Sequence, residues 1–248
     1  MNLTQFWKEN PKAAIAFSGG VDSAYLLYSA VQSGANVKAY YAKTAFQPAF
    51  ELEDAKKLAA QLGAEMEILT LDVLSVPKVA ENPANRCYYC KTAIFSAMTA
   101  AAKRDGFSLI LDGTNASDDA SDRPGMQALR ELFVRSPLWE CGLTKTEIRR
   151  LSKEAGLFTH DKPAYACLAT RIPTGDIITR SKLARTEDAE TYLHSLGLRD
   201  FRVRTLGDIA RIQVTESDLQ TVLKNRDAIV SHLKKLYSGV MLDLEVRP

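Results

Sequence analysis

The sequence predicts an α/β fold: a doubly wound, mainly parallel sheet followed by a small C-terminal α+β domain. Three observations predict it. Strand-like and helix-like apolar runs alternate through the first half of the chain, as in successive βαβ units. A glycine turn, Ser18-Gly19-Gly20-Val21-Asp22-Ser23, joins the first strand-like run to the first helix-like one. Beyond residue 170 the pattern changes to short alternating strands flanked by helices. The implied division is 1–170 for the larger domain and 171–248 for the smaller.

Taken in order, Ala13-Ala14-Ile15-Ala16-Phe17 is a continuous apolar run and reads as a buried strand. Ala24-Tyr25-Leu26-Leu27-Tyr28 opens a helix behind the glycine turn. Val37 to Ala42 reads as a second strand, Phe50 to Leu62 as a helix ended by Gly63, and Met66 to Leu71 as a third strand. Lys91 to Lys103 is helix-like, with Cys87 and Cys90 at its start, and Ser108 to Leu111 is a short buried strand. Thr144 to Ala155 is a helix, with Thr144 and Glu147 in capping-box spacing and Gly156 at its end. Leu157 to Gly175 is loop-rich. Ser181 to Leu196 has helical periodicity, and Phe201, Val203 and Thr205 alternate with Arg202 and Arg204 as on a half-buried strand. Leu206-Gly207-Asp208 is a turn, and Ala210, Ile212 and Val214 form the next alternating run. A helical stretch follows, and Val240, Leu242, Leu244 and Val246 make a final strand.

The chain has 248 residues, 46% hydrophobic and 25% charged, the composition of an ordinary globular protein. A net charge of +2 argues against a large nucleic-acid footprint. The first ten residues lack a signal-peptide pattern and no apolar run reaches membrane-spanning length, so the expectation is a cytoplasmic protein without a membrane partner. Four cysteines do not make a disulfide scaffold here; metal binding or catalysis comes first.

A strand, a glycine turn and a helix start place backbone N–H groups around an anion, and the helix dipole adds favourable potential. The loop lacks the Lys-Ser/Thr ending of a Walker A motif. Ser18, Ser23 and Asp22 suit a pyrophosphate instead, with Gly19 and Gly20 admitting it to the backbone and Asp22 helping to hold Mg²⁺. In a doubly wound sheet ligands sit beyond the carboxyl ends of the strands. Ser18–Ser23, Lys43-Thr44 and Asp112-Gly113-Thr114-Asn115 therefore converge, and Lys43, Gly113 and Thr114 join the candidate ATP contacts. A local turn built by Thr114, Asn115 and Asp118 accounts for that last segment equally well.

Cys87-Tyr88-Tyr89-Cys90-Lys91 is a CxxC, and Cys167 stands in Ala166-Cys167-Leu168-Ala169-Thr170-Arg171-Ile172-Pro173. Two near cysteines and one distant one can converge on a metal. Three thiolates would leave one iron of a [4Fe–4S] cluster open to a further sulfur, because four cysteines are the usual complement. Zinc is the competing metal, with His160 or Cys141 as fourth ligand. Cys141 otherwise reads as a structural thiol, and His194 and His232 as packing or surface residues. Trp7 and Trp139 have no assignable role.

Ser18 to Ser23 resembles the SGGxDS loop of the PP-loop ATP pyrophosphatases, whose adenine nucleotide alpha hydrolase-like domain adenylates an acceptor and releases pyrophosphate. With the CxxC-Lys, Leu111-Asp112-Gly113-Thr114-Asn115 and the segment around Cys167, the whole chain resembles the LarE family, including Arg202-Val203-Arg204 and Gly207 to Ile212. That family comprises ATP-dependent sulfur insertases of nickel-pincer nucleotide cofactor synthesis. The resemblance implies adenylation of the carboxylates of pyridinium-3,5-biscarboxylic acid mononucleotide and displacement of AMP by sulfur, with ATP, Mg²⁺ and Asp22 and Cys167 in catalytic roles. One family type sacrifices a single cysteine at the Cys167 position; the other holds a [4Fe–4S] cluster on three. Cys87, Cys90 and Cys167 match the second. Arg171, Arg202 and Arg204 become candidates for substrate phosphate or carboxylate, against a solvated face paired with Asp243 and Glu245. The implied partners are the nucleotide substrate, a sulfur donor and a nickel-insertion protein, with room for a homo-oligomer. A tRNA thiolase using the same loop and cluster is the main rival, ahead of an ammonia-dependent ligase and a non-catalytic nucleotide binder with structural zinc.

Overall fold

The computed structural model describes residues 2–118 and 124–247. They fall into two units, Met1–Val79 with Ala84–Lys162, and Ala80–Pro83 with Pro163–Pro248.

In the first unit α1 (Leu3–Glu9), β1 (Lys12–Ala16), α2 (Val21–Gln32), β2 (Asn36–Lys43), α3 (Ala49–Leu62) and β3 (Met66–Thr70) follow one another. A single turn, α4 (Pro77–Ala80), precedes the long α5 (Arg86–Arg104), β4 (Ile110–Leu111), α6 (Pro124–Glu131), α7 (Pro137–Glu140) and α8 (Lys145–Glu154). The four strands are parallel in the order β3-β2-β1-β4. Their side chains alternate between two apolar layers, as the pleat requires. Ala13, Ile15, Ala39 and Tyr41 pack with α2 and α3, and Ala14, Tyr40 and Ala42 with α5. Leu26, Leu27 and Leu58 have no exposed surface, and each such burial contributes about 1.5–3 kcal/mol.

The local signals act as read. Gly63 ends α3 in the left-handed region at φ 62°, and Thr144 and Glu147 form a reciprocal capping box on α8. Helix α5 starts at Arg86, so Cys87 and Cys90 lie inside its first two turns. The last strand of this sheet is shorter than expected. Only Ile110 and Leu111 pair with β1 in register, although Leu109 O still accepts from Ala14 N at 2.8 Å.

The second unit contains α9 (Arg180–Ser195), β5 (Phe201–Leu206), β6 (Ile209–Val214), α10 (Leu219–Lys224), α11 (Arg226–Leu233) and β7 (Gly239–Leu242). β5 and β6 form an antiparallel hairpin through Gly207 at φ 57°, and β7 adds in parallel to β6. Ala189, Leu193, Val203, Ile212, Val214 and Leu233 make its core. Two expectations change here. Leu244 and Val246 lie outside β7, because the chain turns at Asp243, whose Oδ1 accepts from Glu245 N; Leu244 is 89% exposed. Arg202 is buried like its neighbours, so the alternation expected of a half-buried strand breaks there, because Tyr165 and the carbonyl of Ala164 cover that side of β5. Among the described residues no helix is long and apolar enough to cross a membrane.

Candidate functional site

Strand β1 lies between β2 and β4, so the chain leaves its carboxyl end at a topological switch point, where such sheets bind ligands. A cavity of about 590 Å³ opens there within the first unit. Ser18, Asp22 and Ser23 line it from the loop after β1, and Asp112, Gly113 and Thr114 from the segment after β4. Gln47 and the end of β2 contribute, and Ile94, Phe95 and Met98 of α5 give it an apolar wall.

The loop is held by its own hydroxyls. Ser23 Oγ accepts from Ser18 N at 3.2 Å and donates to Gly20 O at 3.2 Å; the two serine hydroxyls are 3.1 Å apart. Gly19 has φ 72°, and a Cβ there would stand 3.0 Å from Ala55 Cβ, so α3 packs directly on the turn. A Cβ on Gly113 would stand 2.9 Å from Ser23 N and 3.2 Å from its Cα. Only glycine lets the segment after β4 approach the loop this closely. Asp112 fixes that segment, accepting from Thr114 Oγ1 and Ser136 Oγ, both at 2.6 Å. Asp118 Oδ2 accepts from Asn115 N at 3.1 Å, so the local turn and the cavity wall coexist in one stretch.

Asp22 Oδ2 accepts from Lys145 Nζ at 2.5 Å, while its Oδ1 is buried with no hydrogen-bond partner among the described residues. Burial pushes the Asp22 carboxyl up against the pull of Lys145. One open carboxylate oxygen in this cavity is the donor type that a hard divalent cation takes. The loop therefore fits Mg²⁺.

Cys87 is exposed and lines the same cavity, and Arg86 Nη2 donates to its sulfur at 3.7 Å. Cys90 is half-buried one turn further along α5. Spacing of three residues puts both thiols on one helix face, a donor pair that suits a thiolate-bound metal. Lys91 also lines the cavity, crossing Gly125, where a Cβ would meet its Cδ at 2.9 Å. Within either unit, the described residues contain no group of three or more His, Cys, Asp or Glu side chains arranged to hold a metal. Cys141 packs against the core of the first unit, where burial pushes its thiol up, and His160 Nδ1 lies 2.9 Å from Leu157 O.

In the second unit half-buried Cys167 precedes a 3-10 turn, Leu168–Arg171, and its carbonyl accepts from Thr170 N and Oγ1. Three arginines grip this loop through its carbonyls. Arg171 donates to Ala166 O at 3.0 Å, Arg202 to Ala164 O at 2.5 Å and Arg204 to Thr170 O at 2.8 Å. Arg171, 1% exposed, also pairs with buried Glu190, which accepts from Tyr165 Oη and Val203 N as well. Burial opposes the Arg171 charge, but Glu190 outweighs it and the pKa stands raised. Arg202 is lowered to about 10 by burial and then by Arg171 and Arg247. Burial and the same neighbours, with Arg211, lower Arg204 too. Arg202 and Arg204 are thus under-compensated, whereas Arg171 is matched by Glu190.

Of the residues singled out from the sequence, Ser18, Asp22, Ser23, Gly113, Thr114 and Cys87 thus border one cavity, with Gly19 and Gly20 in its turn. Lys43 does not line it; its ammonium donates to Gln47 O at 2.9 Å. Cys167 and the three arginines belong to the other unit. His194 lies in α9, and His232 stacks on Tyr192 and pairs with Asp188. Trp7 is buried with its Nε1 donating to Ser29 Oγ, and Trp139 is half-exposed. Lys145 and Glu190 escaped the sequence reading. For Lys145 a signal existed: it is the first residue of α8, where the helix dipole disfavours a cation, so its presence pointed to an acidic partner.

A family model described as queuosine biosynthesis protein QueC matches residues 12–82. The pyridinium-3,5-bisthiocarboxylic acid mononucleotide synthase of Lactiplantibacillus plantarum is 35% identical over 96% of this chain and 87% of its own length. An uncharacterized protein of Synechocystis sp. is 38% identical over 98% of this chain and 92% of its own length. The tRNA-specific 2-thiouridylase MnmA of Thermotoga maritima is 26% identical over 61% of this chain and 54% of its own length.

Proposed function

The chain belongs to the LarE family of ATP-using, sulfur-transferring enzymes, and on that premise we propose that it thiolates the carboxylates of pyridinium-3,5-biscarboxylic acid mononucleotide. A substrate carboxylate oxygen attacks the α-phosphorus of ATP, pyrophosphate leaves, and an acyl adenylate forms. A sulfur nucleophile then attacks the acyl carbon and AMP departs with the carboxylate oxygen. The second carboxylate undergoes the same two steps. The observation that carries this reading is the full-length match to the Lactiplantibacillus plantarum synthase, and the Ser18–Ser23 loop with its open Asp22 oxygen supports it.

The residues divide the work. Ser18, Ser23 and the backbone of Gly19 and Gly20 receive the departing pyrophosphate, and Asp22 would hold Mg²⁺, which would supply positive charge there. Gly113 and Thr114 close the nucleotide site, and Lys43 supports it through Gln47. Arg171, Arg202 and Arg204 supply positive charge for the substrate phosphate and carboxylate; the lowered pKa of Arg202 and Arg204 reflects cations that an anion would relieve. Cys87, Cys90 and Cys167 would hold a [4Fe–4S] cluster, which would supply the sulfur-carrying chemistry.

The tRNA reading rests on the thiouridylase match, which spans 61% of this chain at 26% identity; the net charge of +2 weighs against it. The domains act as a PP-loop unit and a small substrate unit, in a cytoplasmic protein that works with a sulfur donor and a nickel-insertion partner. The test is anaerobic turnover with ATP, sulfide and the biscarboxylate mononucleotide, followed by product and protein mass spectrometry. AMP, pyrophosphate and several thiolated products per chain are expected, with Cys167 intact. ADP with phosphate would sink the adenylation. Loss of H₂S from Cys167, with at most one sulfur delivered per chain, would replace the cluster by sacrifice of that cysteine.

A further inference from the structure

Two neighbouring tyrosines of β2 differ in one respect. Tyr40 and Tyr41 are each 1% exposed and pack on opposite faces of the sheet. The Tyr40 hydroxyl donates to Asp105 Oδ2 at 2.8 Å. The Tyr41 hydroxyl is buried too, yet it has no hydrogen-bond partner among the described residues. An unpaired buried hydroxyl is costly, and native folds carry few of them. Packing alone would be served by phenylalanine, since the ring lies in the same apolar layer as Phe17. The position of Tyr41 supplies a use for the oxygen. Phe17 N donates to Tyr40 O at 2.9 Å, carrying the β1–β2 ladder past Ala16. Tyr41 therefore stands beside Phe17, the residue before the Ser18–Ser23 loop, and it borders the cavity with Ser18, Asp22 and Ser23. On the same face α3 meets the loop, where Ala55 packs on Gly19. Burial, and after it the Glu51 and Asp54 carboxylates of α3, push the hydroxyl up, so it stays a neutral donor.

We propose that Tyr41 is a phosphate-binding residue, whose hydroxyl donates to an anionic oxygen of the ATP phosphates held by the Ser18–Ser23 loop. The proposal rests on ATP occupying this cavity. Two residues that border it carry a buried side-chain atom without a partner among the described residues: Asp22 Oδ1, an acceptor, and Tyr41 Oη, a donor. A magnesium–phosphate complex offers the matching pair, a cation for the first and anionic oxygens for the second. Adenosine offers neither, so the hydroxyl should be blind to it.

The experiment compares full-length wild type, Tyr41→Phe and Tyr40→Phe. It measures calorimetric binding of ATP and of pyrophosphate, each with Mg²⁺, and of adenosine, together with thermal unfolding in the absence of ligand. Tyr41→Phe should bind ATP and pyrophosphate about tenfold more weakly, the factor for one hydrogen bond to a charged group, and bind adenosine as wild type does. Because the substitution removes an unpaired buried group, the unliganded variant should melt about 2–4 °C above wild type. Tyr40→Phe should do the reverse, melting lower through loss of the Asp105 bond while binding ATP normally. A higher melting temperature with unchanged affinity for ATP and pyrophosphate would overturn the proposal. So would an equal loss of affinity for all three ligands, which would place the hydroxyl at the nucleoside. Asp22→Asn separates this assignment from the seat of the nucleotide. If it weakens ATP binding and Tyr41→Phe does not, the cavity holds ATP and only the Tyr41 assignment fails. If neither variant weakens binding, ATP lies elsewhere and both readings fail.

Discussion

Replacing Gly113 by alanine tests whether the close packing of the segment after β4 on the Ser18–Ser23 loop matters for turnover. The added Cβ would stand 2.9 Å from Ser23 N, 3.2 Å from Ser23 Cα and 3.3 Å from the Asp22 carbonyl carbon. All three are backbone atoms, so no flexible side chain can move aside. Restoring ordinary contact requires a shift of about half an ångström, and overpacking of this kind costs about 1–3 kcal/mol. Either the loop moves, displacing Asp22 and the N–H groups behind it, or the 112–114 segment moves and strains the Asp112 bonds to Thr114 and Ser136. A 1 Å misplacement costs about 100-fold in rate, so half of that predicts roughly a tenfold loss of AMP formation. Gly142→Ala is the control. Gly142 has φ 70° but nothing within 4 Å of an added Cβ, so it should cost about 1–2 kcal/mol of stability and leave turnover intact. Urea unfolding and ATP-dependent pyrophosphate release measure the two quantities. A folded Gly113→Ala protein with wild-type turnover and KM for ATP would refute the reasoning.

Asp22→Asn should lower turnover by about 100-fold or more through the lost metal charge, with urea unfolding changed little; pyrophosphate release near the wild-type rate would contradict the Mg²⁺ role. Glu190→Gln strips the counter-charge from buried Arg171 and should cost about 3–5 kcal/mol in urea unfolding; a loss below about 1 kcal/mol would show that the arginine finds other compensation. Asp105 is held below its ordinary value of 3.8 by Arg104, then Lys38 and Tyr40, and Glu67 below 4.5 by Lys38 and Arg104. Because folding lowers both, their contribution is present above the ordinary values and disappears as pH falls through the folded ones. Asp105→Asn should therefore melt lower than wild type at pH 7 and converge with it in acid. A gap that widens on acidification would reverse the sign.

Much of the first unit is legible in the sequence because its signals are local. The apolar run Ala13–Phe17, the glycine turn and the capping box of Thr144 and Glu147 each act within a few residues, and the parallel sheet follows from their alternation. What escapes is set by what packs on top. Arg202 alternates with apolar residues as a solvent-facing side chain would, yet Tyr165 and Ala164 cover it. Glu190 sits in a helix rich in charge, and nothing nearby in the chain marks it as the buried acceptor of Arg171, Tyr165 and Val203. Asn82 looks like a turn residue ahead of a proline; its partners lie about ninety residues away. Leu244 continues an apolar alternation past the point where Asp243 turns the chain.

The Ser18–Ser23 loop lacks a Walker lysine. A loop ending in Lys-Ser/Thr carries its phosphate cation within the same turn; Ser18–Ser23 carries none. The fold brings cations from elsewhere. Lys145 reaches Asp22 from the first residue of α8, 123 positions along the chain, and Lys91 lines the cavity from α5. The Lys145 backbone is itself pinned, its N–H donating to Ser117 Oγ just beyond the 112–115 wall. Charge at this end of the cavity therefore depends on the packing of α5 and α8, not on the loop alone. A cation borne by a separate element can pair with Asp22 and leave the loop's N–H groups free for an anionic ligand.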